Sequence, residues 1–355
     1  MINWQWPSRQ AEFWRSSKIW PLAKELSLTA QSIFAGEGHQ LTHNQQPVKQ
    51  AAIQRVEPSY KQEADVADQV LAQLAQKVAK EAVVLTDGQW HIQTQSQAEP
   101  CASWTEFKIQ AGSQVTLKYT QANAASDWQI RVFICHVAAG ASLEIDSEVI
   151  CPVSKSINIW VINQHEKATL HFKQQHIHFA YQREHVWVRL LGEQAHAELV
   201  GLYASREKQA SEQIWTVIHR ASHTTSVQKM RGVVTDQAHA VALSQVNVIP
   251  GIAKVDSVQK LDHILLSPKA TVHTRPQLEI LSDDVVCQHG ITVGELDDDS
   301  LFYLQSRGID QRTAVKLLLL CFFEQIWPQL SQAMQLVVNQ ILTAKEKAAH
   351  DQLPQ

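Results

Sequence analysis

From about Val83 to Val293 apolar residues recur at every second position, and this alternation constrains the fold more than any other feature of the chain. Leu170 and Phe172 alternate with Thr169, His171 and Lys173; Val186, Val188 and Leu190 alternate with His185, Trp187 and Arg189; Leu199 to Tyr203 continues the pattern. A period of two places alternate side chains on opposite faces of an extended backbone, so these segments read as half-buried strands. No long helical pattern separates them, which argues against a βαβ arrangement.

The strands share a loose repeat in which a short polar turn carrying alanine leads into the next strand. It is seen at Ala168, Ala195, Ala238, Ala253 and Ala270, the last three being 15 and 17 residues apart. Short strands repeating at such spacing suit a parallel β-helix, in which each coil buries its face only by stacking on its neighbours. A β-sandwich is the structural alternative, but its hairpin signals are nearly missing, with Asp87-Gly88 as the one candidate.

The period becomes helical at both ends. Between Lys61 and Val84, Val66, Val70, Leu71, Leu74 and Val78 form an apolar stripe and predict a helix. Near the other end Asp310 is placed to cap a helix over 311–327, and a second helix over 329–347 follows the break at Pro328. The expected layout is an N-terminal helical segment (1–84), a β-helix core (85–300) and a C-terminal helical segment (301–355). The run Asp297-Asp298-Asp299 reads as a solvated stretch before those helices.

Bulk properties narrow the function. Of the 355 residues 45% are hydrophobic and 19% charged, which fits a folded chain. The net charge of -4 argues against a nucleic-acid partner, because that binding rests on Lys and Arg. The longest apolar stretch, Leu317 to Phe323, is too short to cross a bilayer, and no secretory signal is visible. The five scattered cysteines favour reduced thiols in a cytoplasmic setting over a disulfide framework.

The sequence has no P-loop, no dinucleotide fingerprint, no C-x-x-C and no zinc-protease or serine-hydrolase motif. The segment Asp283-Asp284-Val285-Val286-Cys287-Gln288-His289-Gly290 stands out instead. On a strand, Cys287 and His289 share one face, and thiolate and imidazole are both ligands for iron or zinc. Two ligands do not complete a tetrahedral site, so the others must come from elsewhere in the chain or from a partner. From spacing alone, a core thiol beside a hydrogen-bonded strand histidine carries more weight than a ligand pair. His176 with His178, and His219 with His223, read as structural histidines. Glu279, Asp283 and Asp284 could form an acid–base set, and Asp283 and Asp284 with Arg275 could serve a β-helix carbohydrate lyase or hydrolase.

The surrounding residues resemble a known signature. Arg275-Pro276-Gln277-Leu278-Glu279-Ile280 is followed by Asp283-Asp284-Val285 with Cys287 and His289-Gly290. Then come Thr292-Val293-Gly294, Leu296-Asp297, Leu301-Phe302-Tyr303-Leu304 and Ser306-Arg307-Gly308-Ile309. This order is similar to the C-terminal signature of the SufB/SufD family, in its SufD form: Cys-Gln-His-Gly precedes Ile-Thr-Val-Gly, and the cysteine-rich N-terminal stretch of SufB is missing. The family's N-terminal basic-aromatic motif is not recognisable. The resemblance implies a right-handed parallel β-helix flanked by helical segments, acting as a non-catalytic scaffold in iron–sulfur cluster assembly. It implies a transient cluster held by His289 and Cys287 at an interface with a SufB-type subunit. It also implies a SufC-type ATPase docked on the C-terminal helices through Leu317, Leu318, Phe322 and Phe323. Whether a flavin binds the complex, and whether the chain alone forms a homodimer, are left open by it.

Overall fold

The computed structural model describes residues 2–4, 26–30, 40–47, 54–55, 80–95, 101–122, 128–150, 155–177 and 180–350. Its body is a parallel β-solenoid of about seven coils, followed by three helices. Alternate strands along the chain fall into two sheets. The short strands β1 (Ile2–Trp4), β2 (Leu26–Ala30), β3 (Gln40–His43), β4 (Gln46–Pro47) and β5 (Gln54–Arg55) flank the N-terminal end. One sheet then carries β6 (Lys80–Leu85), β8 (Cys101–Ile109), β10 (Trp128–Val137), β12 (Lys155–Gln164), β14 (Tyr181–Leu190), β16 (Ala210–His219), β18 (His239–Val248) and β20 (Thr271–Ile280). The other carries β7 (Gly88–Gln95), β9 (Gln114–Ala122), β11 (Ser142–Ile150), β13 (Thr169–Ile177), β15 (His196–Ser205), β17 (Thr225–Val234), β19 (Val255–Leu265) and β21 (Val285–Gly294).

Strands stack in unbroken parallel register from coil to coil, as in Leu117↔Ile145↔Phe172↔Leu199. The inward face of each strand therefore builds a column of side chains along the axis. Phe133 and Trp160 stack with ring centroids 4.1 Å apart, and Tyr119 meets Phe133 edge-on at 5.2 Å. The turn alanines follow the same logic. Ala168 and Ala195 are fully buried at corners leading into β13 and β15, where a larger side chain would push the coils apart. Ala238 and Ala270 lead into neighbouring strands of one sheet, β18 and β20, and Ala253 lies at the corner between. The two spacings read from the sequence are thus the two halves of one coil.

Two sequence expectations need correction. The helix expected over Lys61 to Val84 lies mostly outside the described residues, but its end does not: Lys80–Leu85 is strand β6, paired with β8. Its Val83 and Leu85 point into the solenoid core, so burial on a sheet overrides helical spacing here. Asp87-Gly88 is no hairpin. It is a solenoid corner, because β6 and β7 belong to different sheets. Gly88 has φ +124° there, and the Asp87 carboxylate accepts the Gln114 backbone N–H at 2.6 Å. The acidic run at Asp297 is solvated as expected, and Asp297 also caps α1 (Asp298–Ser306) by accepting the Ser300 N–H at 2.9 Å, with Asp298 and Asp299 in the favourable first turn.

The remaining helices are α2 (Gln311–Glu324) and α3 (Gln332–His350). Asp310 caps α2 as expected, accepting the Thr313 N–H at 3.0 Å. Both helices lie on the outer face of the second sheet, where Val315, Leu319, Phe323, Met334 and Val338 pack with Ile177, Leu202 and Val233. Ser331 ties the start of α3 to β13 by donating to Gln175 Oε1 at 2.8 Å and accepting the Met334 N–H at 3.2 Å.

The solenoid interior is not uniformly apolar. Glu184 is fully buried and accepts from Asn158 Nδ2 at 3.0 Å and Trp160 Nε1 at 2.6 Å. Tyr203 reaches past one coil to place its hydroxyl 2.8 Å from His263 Nδ1. Only a glycine lets it pass: a Cβ on Gly232 would lie 2.0 Å from the Tyr203 ring. Burial pulls both His219 and His263 down to about 4.

A buried histidine held below its unfolded value of about 6.5 takes up its proton on unfolding. Its contribution is complete above pH 6.5 and is lost as the pH falls from 6.5 toward 4. At ~1.4 kcal/mol per pH unit, His219 and His263 each contribute up to about 3 kcal/mol over that window. The urea midpoint of the full chain is therefore expected to fall steeply between pH 6.5 and 4. A flat midpoint across that range would contradict the burial of these imidazoles.

Candidate functional site

The last coil is where the solenoid stops stacking. Among the described strands β20 pairs only with β18, and β21 only with β19, so each leaves one edge of backbone N–H and C=O groups without a described strand beside it. Cys287 and His289 lie on β21, on the face that points inward elsewhere in the sheet: their ladder neighbours on β19 are Ser257 and Gln259. Cys287 is half-buried against the core with Val285, whereas His289 is exposed. Further along the same face Ile291 and Val293 are 44% and 46% exposed, because no further coil covers them. Ile280, Leu281 and Val286 add exposed apolar surface at this end. An open strand edge bordered by exposed apolar side chains is a surface suited to another chain.

The two ladders that end on these residues change character along the axis. One runs Val115, Leu143, Leu170, Ala197, Ser226, Ser257, Cys287. The other runs Leu117, Ile145, Phe172, Leu199, Gln228, Gln259, His289. Apolar packing gives way to hydrogen-bonding groups over the last three coils, and both columns finish in a ligand-type side chain. Burial, and then the nearby Asp256 carboxylate, push the Cys287 thiol above the usual range. Cys287 therefore rests as a thiol, and binding a cation there would have to release its proton.

The structure separates the other candidates. Asp283 and Asp284 are exposed at the corner before β21, and Asp284 pairs with Lys254 Nζ at 2.9 Å. Arg275 lies in the middle of β20, in register with Leu243. This does not assemble the acid–base set of a carbohydrate lyase. His219 and His223 do not share a side: His219 is buried in the interior, and His223 occupies a corner with φ +59°. His176 is likewise interior, and His178 lies outside the described residues. Among the described residues no three His, Cys, Asp or Glu side chains group as a metal site, so Cys287 and His289 form at most half of one. No described helix is long and apolar enough to cross a membrane.

The expected docking residues divide. Leu317 is 39% exposed, while Leu318 and Phe322 are half-buried. Phe322 lies under the Arg231 guanidinium, 4.7 Å from its ring centroid. Phe323 is fully buried against the sheet, so it belongs to the fold and not to a contact surface. Sequence reasoning also missed the exposed aromatics of α1, Phe302 at 71% and Tyr303 at 58%. Their adjacent positions in a short helix give no periodic signal.

Comparison with known proteins agrees with this picture. The family model described as SUF system FeS cluster assembly, SufBD core domain, matches residues 89–322. The iron-sulfur cluster assembly protein SufD of Escherichia coli is 38% identical over 108 residues, which is 30% of this chain and 26% of that protein. A SufBD family protein of Synechocystis is 33% identical over 137 residues, 38% of this chain and 30% of the relative. One from Mycobacterium leprae is 30% identical over 172 residues, 45% of this chain and 44% of the relative. The matches span less than half the length of each of these relatives.

The thiols give a direct check on the geometry. Cys321 is exposed, Cys287 is half-buried with a raised thiol, and Cys135 is fully buried with its thiol pushed up much further. With Cys101 and Cys151 changed to serine, iodoacetamide is expected to label Cys321 fastest, Cys287 more slowly and Cys135 only on unfolding. Mass spectrometry of the labelled peptides reads the order, and Cys287 reacting ahead of Cys321 would contradict it.

Proposed function

Because the chain belongs to the SufBD family of the SUF iron–sulfur cluster assembly system, we propose that it is a non-catalytic scaffold subunit on which clusters are built. The observation that carries this reading is the pair Cys287 and His289 on one face of an uncapped terminal strand. The nascent cluster is the cargo. A thiolate and a neutral imidazole supply two ligands, and the remaining ones come from a SufB-type subunit seated on the open end of the solenoid. Ile291, Val293, Val286 and Leu281 provide the apolar ground for that contact. Both ligands bind iron in their deprotonated forms, so assembly weakens at acidic pH.

In this reading the division of labour follows the chain. The solenoid (about 85–300) holds the site, and the segment from 301 onward docks a SufC-type ATPase that supplies nucleotide energy. The contact would use the exposed surface of α2 around Leu317 and the half-buried Leu318, whereas Phe322 is held toward the sheet by Arg231 of β17. The described strands before residue 85 join the solenoid's own sheets, β2 and β6 pairing with β8 and β3 with β7, and do not form a separate unit.

Two experiments test this. In the co-expressed complex, His289→Ala is expected to abolish the cluster absorption bands after reconstitution while all subunits still co-purify. A normal cluster yield would sink the assignment. Leu317→Asp is expected to reduce capture of the ATPase at least tenfold, with the circular dichroism unchanged. Undiminished capture would remove α2 from the contact. Phe323→Asp is the contrasting control, because a charge in that buried position should unseat the helices themselves, at a cost of several kcal/mol.

A further inference from the structure

Two hydrogen-bond networks inside the solenoid converge on the two candidate ligands. Under Cys287 the protons can be traced. The Thr224 hydroxyl donates to the Ala221 carbonyl at 2.9 Å, so its oxygen can only accept from His219 Nδ1, 2.8 Å away. His219 is fully buried and neutral near pH 7, which leaves Nε2 as an acceptor. The Ser226 hydroxyl, 3.0 Å from that nitrogen, must donate to it. Ser226 then accepts from Ser257 at 2.8 Å. The hydroxyl proton of Ser257 is thereby committed inward, and its oxygen offers only lone pairs to the next coil, where Cys287 is its ladder neighbour.

Under His289 the arrangement is analogous. Ser244 donates to Gln228 Oε1 at 2.6 Å and accepts from Gln259 Nε2 at 2.8 Å. This fixes the Gln259 amide and leaves its Oε1 buried without a partner in a side chain only 1% exposed. A buried acceptor without a donor is costly and asks for one. His289 is its ladder neighbour on β21, one strand spacing of ~4.8 Å away.

Neither Cys287 nor His289 bonds its β19 neighbour in the structure; we infer that β19 is the orienting layer of the site, the exposed His289 ring turning to donate one N–H to the unpartnered Gln259 Oε1, and the Cys287 S–H turning to Ser257 Oγ. The first contact fixes the imidazole tautomer and leaves the other nitrogen's lone pair turned away from the solenoid. The second aims the thiol into the coil until a cation displaces its proton. Ser257 and Gln259 are positioning residues. Their meaning for cluster assembly rests on the proposed function, but the contacts exist or fail without iron.

The test is made on the metal-free full chain. Long-range proton–nitrogen correlation spectra of ¹⁵N-histidine-labelled protein at pH 8 report each ring's tautomer, and the His289 signals are those lost in His289→Gln. One tautomer is expected in at least about fivefold excess, the bias a single net hydrogen bond supplies. Gln259→Met, of similar size but without an acceptor, should bring the ratio to that of free imidazole. Gln259→Glu, which keeps an acceptor and cannot donate, should restore the bias. For the thiol, the Cys287 S–H infrared band is assigned by its loss in Cys287→Ser and should move to higher frequency in Ser257→Ala. A wild-type His289 already at the free-imidazole ratio overturns the inference without any variant needing to fold, as does a bias that survives Gln259→Met. Loss of the scaffold reading would show differently, as cluster formation that persists in His289→Ala.

Discussion

Everything in this molecule depends on the in-register hydrogen bonding of parallel strands between coils. A strand in a β-solenoid satisfies its backbone groups only through the strands one coil before and one coil after it. That rule holds from β8 to β18 in one sheet and from β9 to β19 in the other. It fails at the last coil, where β20 and β21 have a neighbour on one side alone. Soluble proteins usually blunt such an edge with charge, proline or a covering element. Here β20 follows that rule with Arg275, Pro276 and Glu279, but the edge of β21 carries Val286, Ile291 and Val293, together with a thiol and an imidazole. The end that stacking cannot finish is the end that holds the two candidate ligands, Cys287 and His289.

The same stacking rule lets the interior change character without changing the backbone. Column positions filled by Leu117, Ile145, Phe172 and Leu199 become Gln228, Gln259 and finally His289 within one continuous ladder. Replacing apolar side chains by buried amides and hydroxyls costs desolvation, and the cost is offset only where partners are at hand. Most are: Ser244 bridges two glutamines, His219 binds two hydroxyls, and Tyr203 meets His263 over Gly232. The polar atoms left over are spread along the solenoid, from Thr105 Oγ1 in β8 to Gln259 Oε1 in β19.

Much of this was legible in the sequence, and the failures have physical causes. Period-two alternation revealed the strands, and the turn alanines revealed the coils, because both patterns come from repeated burial at fixed positions. The α2 cap was legible because Asp310 acts locally. Cys287 and His289 stood out because two ligand types shared a face without completing a set. The strand at Lys80–Leu85 was read as the end of a helix because Val83 and Leu85 are buried by contacts remote in sequence. Asp87-Gly88 has the composition of a hairpin turn, and nothing local says that the next strand joins the other sheet. Phe323 and Leu317 belong to one apolar run, yet only the packing of α2 decides which is covered. Gln228 and Gln259 resemble surface residues by type. Only the ladder register shows that they line the core.

The helices are anchored to the coils in a way that also measures distance. α2 and α3 pack on residues from Ile177 in β13 to Leu266 just after β19, so their offset from the terminal strand is fixed by the coils between. Each coil advances the axis by one strand spacing, ~4.8 Å. Coils before β13 lie outside that span. The solenoid can therefore gain or lose whole N-terminal turns and behave as a ruler whose zero mark is Cys287 and His289. Its length can drift among relatives while the reach from the helices to the open end stays constant.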